Sequence, residues 1–385
     1  MNLKKAAVLL GLAAMASGVA VAQEDDNNGR IPALDHVIVI MMENHYIGQV
    51  LGQTNTPFTN SYAASANLAK NYWAVGHPSL TNYLEIVGGS NFGIVNDNPP
   101  NWHNTNCVST LKVFVDESTT PAITCPIAGS GMDAATPAVD TTNEGTATEP
   151  IYNIPFAPAK TVGVTIANQL VEHGMSWKSY QEDLPPYGAD GVNASDGLVS
   201  TTTQSEPGMP QLYAVKHNPF AYFADVQAGT TSGLSLKQVV DFHQLYADLG
   251  SGNVPNLAFI APNQCHDQHG RGSSEMGTGC SVDANAIAQG DAGLSVLIAA
   301  IHNSPVWKEG RTAIVTVWDE NDYSSLPNNV VAIVDTNYGP HGKTSSVMYN
   351  HFSLLKSIEA GFGLSHINHA ADHNVKVMSD LFAAN

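Results

Sequence analysis

"HVIVIMMEN", residues 36 to 44, decides how the rest of the chain is read. Six consecutive apolar residues, Val37 to Met42, give way at once to Glu43 and Asn44. A run this short, rich in β-branched residues and apolar at every position, predicts a strand covered on both faces, as in a parallel sheet. Two more runs end the same way: "NLAFIAP" (256–262) leads into "NQCHDQHG", and "TAIVTVWD" (312–319) leads into Glu320, Asn321 and Asp322. Further strands are expected at "SWKSYQE" (176–182) and "VVAIVD" (330–335). Helical patterns alternate with them at "TVGVTIANQLVEHG" (161–174), "SLKQVVDFHQLYADLG" (235–250), "DANAIAQGDAGLSVLIAAIHNS" (283–304) and "NHFSLLKSIEAGFG" (350–363). The alternation predicts an α/β protein with a largely parallel central sheet flanked by helices. Ligands of such sheets bind beyond the carboxyl ends of the strands, so the three polar clusters are expected to face one crevice.

The ends of the chain and its charge bound the function. Residues 1–22, "MNLKKAAVLLGLAAMASGVAVA", have two lysines, an apolar run and an Ala-Val-Ala ending, the pattern of a secretory signal. A secreted or periplasmic location is expected, with a polar leader over 23–33. Residues 34–385 form one domain, carrying a loop-rich insertion over about 98–158, where Thr, Pro, Ala and Gly dominate without periodicity. Without the signal, 13 basic side chains face 34 acidic ones, a net of −21. Such a surface repels nucleic acid and anionic membranes, so an anionic substrate must be drawn in by a local cluster. No apolar run of the remainder is long enough to span a bilayer, and no stable membrane insertion is expected. The four cysteines, in a chain bound for an oxidising compartment, allow three pairings, of which the local one, Cys107–Cys125 with Cys265–Cys280, closes short loops and is preferred.

The chemistry-bearing residues are of types that suit one another. Glu43, Asn44, Asp319 and Glu320 offer oxygen ligands to a divalent cation of unspecified identity. His266, Asp267 and His269, with His341 or His351 later in the chain, add nitrogen ligands or donors. In "VGHPSLTNYLEIVGGSNFGIVNDNPP" (75–100), Ser79 stands at the start of a helical pattern that stops at Gly88-Gly89. A cation beside it would lower the hydroxyl pKa and make it a nucleophile at a helix N-terminus that favours anions. The same oxygen would equally serve as an ordinary helix cap, and the sequence leaves both roles open. Asn82, one turn on, and Asn96 are candidate substrate contacts. No GxSxG elbow surrounds any serine, which speaks against a metal-free serine hydrolase.

These segments, together with "YAVKHNPFAYF" (213–223), resemble in the same order the phosphoesterase family of secreted acid phosphatases and bacterial non-haemolytic phospholipases C, related to the alkaline phosphatase superfamily. The resemblance runs from about His36 to Leu364 and implies an alkaline phosphatase-like fold. It implies metal ligation by Glu43, Asn44, Ser79, Asp319 and Glu320, with Asp267 and His351 completing the set and His341 competing with His351. Ser79 is then the nucleophile that becomes phosphorylated, His217 a phosphate-contacting or proton-donating residue, and His269, beside Asp267, a second catalytic group. Departures are His45-Tyr46-Ile47, where many members have Arg-Ser-Phe, and Thr81, where a proline is usual. The implied activity is phosphomonoester hydrolysis of a small phosphorylated substrate, highest at mildly acidic pH if a histidine must be protonated. The rival is phospholipase C-type cleavage of a phospholipid head group.

Overall fold

A computed structural model describes residues 30–100, 122–132, 160–185, 212–270, 283–322 and 328–382, with positions 107, 115, 116 and 118. The signal expected over 1–22 and most of the insertion expected over 98–158 lie outside them.

In chain order the strands are β1 (His36–Met42), β2 (Asn67–Trp73), the small pairs β3 (Val115–Asp116) with β4 (Ile123–Thr124) and β5 (Ser130–Met132) with β6 (Lys160–Val162), then β7 (Trp177–Gln181), β8 (Val239–Asp241), β9 (Leu257–Ala261), β10 (Thr312–Trp318), β11 (Asn329–Thr336), β12 (Thr344–Ser345) and β13 (Tyr349–Asn350). Nine of them build one sheet in the order β12-β2-β11-β10-β1-β9-β7-β8, with β13 also paired to β2. Its pairs are parallel except where β11 meets β10 and β2. Because β11 alone is reversed, the carboxyl ends of β1, β2, β7, β9, β10 and β13 all emerge along one edge of the sheet.

Burial follows the sequence pattern. Every residue of β9 and β10, and all of β1 after His36, is buried. Successive strand residues point to opposite faces, so both faces of the sheet centre are covered. The covering helices fall into two groups by contact: Ser79–Gly88 meets His351–Phe362 and Ile166–Glu172, while Asp283–Asn303 meets Pro57–Ser65 and Phe242–Ser251. The helix Ser79–Gly88 is buried all round, as its apolar residues Leu80, Tyr83, Leu84, Ile86 and Val87 dictate. It stops at Gly89, whose φ of +70° admits glycine without penalty. A Cβ there would lie 2.9 Å from the Ile367 carbonyl oxygen.

Two helical patterns of the sequence divide in the fold. Residues 160–162 and 239–241 form β6 and β8, and the helices start after them at Ile166 and Phe242, where the side chains of Thr165 and Asp241 accept backbone N–H bonds as caps. Cys107 and Cys125 are joined, with Cα atoms 5.3 Å apart, and Cys265 is also disulfide-bonded, to a partner outside the described residues. No helix among the described residues is long and apolar enough to cross a membrane.

Candidate active site

The parallel register sets the first contacts. Met42 of β1 lies opposite Trp318 of β10, so Glu43 and Asp319 leave the sheet side by side. The Asp319 N–H donates to the Met42 carbonyl (3.0 Å), the Asn44 N–H donates to Asp319 Oδ1 (3.0 Å), and the Glu43 N–H donates to the Asp267 carbonyl (2.7 Å). Backbone hydrogen bonds therefore lock three strand ends together before any side chain is placed.

Ser79 enters from the carboxyl end of β2. The helix it opens has Pro78 as its N-cap and no side-chain cap bond, so the serine hydroxyl is not spent on capping. Its Oγ lies instead 3.1 Å from Glu43 Oε2 and 3.2 Å from Glu320 Oε1, one proton between two carboxylates. All three side chains are buried. Asn82, one turn on, accepts from the Val75 and Gly76 N–H groups and donates to the Gly76 carbonyl and to Glu320 Oε2 (3.0 Å). It thus braces both the loop before Ser79 and one carboxylate. His77 Nδ1 stands 2.7 Å from the same Glu320 oxygen.

On the other side, His217 lies between two acids, its Nε2 3.0 Å from Glu43 Oε1 and its Nδ1 3.3 Å from Asp267 Oδ2. The Tyr83 ring, from the turn after Ser79, stacks on the imidazole at 5.1 Å and 9°. Burial lowers the pKa of His217, but the charge of Glu43 and the bond to Asp267 win and push it up to about 10. Burial likewise raises Glu43, and there the charge of His217 wins in the opposite direction and holds it below the usual carboxylate range. The pair is therefore ionised. His217 does not titrate where a free imidazole would, so it is not the group that could confine activity to mildly acidic pH.

His269 donates from its N–H to Asp267 Oδ1 (2.7 Å) and, through Nδ1, to the Gly270 carbonyl (2.9 Å). Between Asp267 and His269, Gln268 adopts φ 84°, a left-handed conformation that costs a bulky residue about 1 kcal/mol or more. The turn is held by His45 Nε2 on the Gln268 carbonyl, Trp318 Nε1 on its amide oxygen, and its amide on the Ile287 carbonyl. The glycine at 290, inside a long helix, makes room for it: a Cβ there would fall 2.2 Å from Gln268 Cγ.

His351 is placed differently from its expected role as a ligand. Both ring nitrogens are engaged: Nε2 donates to the Asp319 carbonyl (2.7 Å) and Nδ1 accepts from the Tyr72 hydroxyl (3.0 Å). Burial pushes its pKa down to about 4, so it is neutral and stands one residue behind the carboxylate. Its competitor His341 lies 4.0 Å from Asp335 Oδ1, and Asp335 pairs with Ile314 near the amino end of β10, at the opposite edge of the sheet. Asn96 makes no contact with these groups; its amide oxygen accepts from Asn98 N–H (3.0 Å) in its own loop and from Thr124 Oγ1 (3.4 Å) in β4. Asn44 contributes its backbone N–H, as above.

The donor set fits a cation. Glu43 Oε1 and Asp319 Oδ2 are buried carboxylate oxygens that accept no hydrogen bond, although Glu43 Oε1 lies within ion-pair distance of His217. One ligand atom each of Glu43, His217 and Asp267 falls within 4.8 Å of the others. Buried polar atoms left unpaired are costly, and a cation among oxygens satisfies them. Burial, followed by the charges of Glu43 and Glu320, pushes Asp319 well up; burial also raises Glu320 and Asp267. A divalent ion held by Glu43, Asp319 and Glu320 would reverse that penalty.

Three residues given no role from the sequence stand close in the chain to ones that were: His77 two before Ser79, Lys216 beside His217, and Asp97 beside Asn96. Lys216 Nζ lies 3.2 Å from Asp97 Oδ2 and 3.3 Å from His269 Nε2. Only the adjacency in "KHNP" and "NDNPP" could have pointed to them.

The Phosphoesterase family model matches residues 49–365, a span that includes Ser79, His217, Asp267, His269, Asp319, Glu320 and His351. A phosphatidylinositol-3-phosphatase of Mycobacterium tuberculosis is 23% identical over 94% of this chain and 89% of its own length. A probable acid phosphatase of Kluyveromyces lactis is 25% identical over 89% of this chain and 62% of its own, and a phosphate-repressible acid phosphatase of Penicillium chrysogenum is 24% identical over 86% and 60%. The chain thus spans about 60% of the length of these two fungal relatives. Among solved structures, a Vibrio parahaemolyticus protein of the alkaline phosphatase superfamily aligns over 90% of this chain and 72% of its own at 11% identity, with a TM-score of 0.44. By sequence match over most of its length, the chain belongs to the Phosphoesterase family and is a phosphoric ester hydrolase.

Proposed function

We propose that the protein is a secreted acid phosphatase that hydrolyses phosphomonoesters through a covalent phosphoserine at Ser79. The observation that carries the reading is the position of the Ser79 hydroxyl, uncapped at a helix N-terminus and 3.1 and 3.2 Å from two buried carboxylates contributed by strands far apart in the chain. A divalent cation held by Glu43, Asp319 and Glu320 would supply Lewis acidity, lowering the hydroxyl pKa and offsetting charge on the phosphoryl oxygens. The chain's own groups do the rest. Ser79 Oγ attacks phosphorus and its proton passes to one of the flanking carboxylates. The ester P–O bond breaks as the alcohol oxygen takes a proton from His217 or His269, and water then cleaves the serine phosphate, releasing inorganic phosphate and restoring the hydroxyl. His217, already ionised against Glu43, carries a proton throughout the acid and neutral range. Asn82 fixes Glu320 and the 75–76 loop, and so orients the nucleophile.

The printed names of the relatives favour monoesters: each is a phosphatase, and the mycobacterial one acts on the 3-phosphate of phosphatidylinositol. A phosphoinositide or a small soluble monoester is the substrate class we assign. Secretion rests on the 1–22 signal pattern and the oxidised cysteines. The test is Ser79→Ala, assayed on p-nitrophenyl phosphate beside metal analysis. A loss of about four to six orders of magnitude in kcat with metal retained supports the nucleophile; turnover near the wild-type rate rejects it.

A further inference from the structure

A protein with a formal net charge of −19 draws in a phosphate only by local positive charge. His217 is committed between Glu43 and Asp267. Lys216, beside it in the same 3-10 turn (Val215–His217), reaches a different place. Its side chain is 6% exposed, with Nζ between the Asp97 carboxylate, which is 31% exposed, and Nε2 of His269. The lysine therefore lies between the partly exposed Asp97 and His269, at the edge of the buried cluster. Its position relative to the nucleophile is fixed by the chain: the other Asp97 oxygen accepts from the N–H of Leu80, the residue after Ser79 (3.1 Å).

We propose that Lys216 takes a nonbridging oxygen of the substrate phosphate, exchanging Asp97 for the ligand, and that this additional cation makes the site select phosphomonoester dianions over phosphodiester monoanions. The proposal rests on phosphoester chemistry at Ser79. Its selectivity follows from Coulomb's law, since an added positive charge stabilises a doubly charged ligand more than a singly charged one. An ammonium is suited to this as a point charge with three N–H donors that can be redistributed among acceptors.

The test reads inorganic phosphate binding by titration calorimetry on the full chain as isolated, together with the ratio of rates on p-nitrophenyl phosphate and p-nitrophenyl phosphorylcholine. Lys216→Met is expected to weaken phosphate binding about 10- to 100-fold, the worth of a hydrogen bond to a charged group, and to lower the monoester-to-diester ratio. Lys216→Arg should restore most of both. Asp97→Asn, whose amide oxygen can still accept from Leu80, should bind phosphate as tightly as wild type or more so. Unchanged phosphate affinity in Lys216→Met overturns the proposal. So does a parallel loss of phosphate affinity and thermal stability in Lys216→Met and Asp97→Asn, the mark of a purely structural ion pair. Because calorimetry needs no turnover, Lys216-dependent phosphate binding in a protein inert to both esters would sink the phosphatase reading and the ester selectivity with it, and leave only the phosphate contact of Lys216 standing.

Discussion

Two equally buried histidines flank the cluster, and their pKa values move in opposite directions. His351 sees only a carbonyl and a tyrosine hydroxyl, and its pKa falls to about 4. His217 sees two carboxylates, and its pKa rises to about 10. Desolvation penalises the cation in both; only His217 has charge beside it to overcome that penalty. The wall of Glu43, His217 and Asp267 is thus ionic, and on the wall of Asp319, His351 and Tyr72 neutral hydrogen bonds hold the Asp319 backbone carbonyl and so the residue that carries the carboxylate.

The comparison breaks most visibly at His217. His217→Gln should lower kcat about 10²- to 10⁴-fold on p-nitrophenyl phosphate, the usual worth of a proton-transferring group. A loss below tenfold would reduce the ionic wall to structure. On the neutral wall, His351→Ala acts only through Asp319. It should weaken metal retention about 10- to 100-fold, as loss of a group orienting a ligand does, with a smaller change in kcat once metal is saturating. An equal loss of kcat at saturating metal would make His351 part of the chemistry. Tyr72→Phe removes one hydrogen bond behind His351 and should cost about fivefold or less in metal affinity.

The same contrast predicts a pH signature in chelator-treated protein. The raised pKa of His217 contributes stability that is fully present below about 6.5, its unfolded value, and is lost as pH climbs through about 10. Glu43, held low, contributes stability present above its unfolded value of 4.5 and lost as pH falls toward its folded one. Denaturant midpoints should therefore fall between pH 7 and 10 in wild type. Much of that slope should vanish in His217→Gln and survive in His351→Ala.

How much of this was legible depended on whether a residue's role was local. The strands β1, β9 and β10 could be read because residues covered on both faces must all be apolar, and the acids that end them stand at a break in that pattern. Glu43, Asp319 and Glu320 followed from those breaks, and Ser79 from the start of the helical pattern that stops at Gly88-Gly89. β2 escaped because Asn67, Lys70 and Asn71 interrupt its apolar run; Asn67 is buried only because its amide reaches the Pro340 and Leu381 carbonyls, more than 270 residues away. The reversal of β11 escaped because direction is a matter of pairing, which residue type does not record. His351 was found as a residue and misplaced in role, since the tyrosine and carbonyl that take its nitrogens lie 279 and 32 positions from it. Asn96 was chosen over its neighbour Asp97 for the same reason: the lysine that matters is 119 residues on.

The central claim is that the Ser79 oxygen forms a bond to phosphorus. Acid-quenching the enzyme during turnover of p-nitrophenyl phosphate and mapping its peptides by mass spectrometry tests it most directly. A phosphoryl group on Ser79, absent from Ser79→Ala, is the predicted result. Full turnover with that peptide unmodified at every quench time, and a Ser79→Ala enzyme that still hydrolyses the substrate, would contradict it.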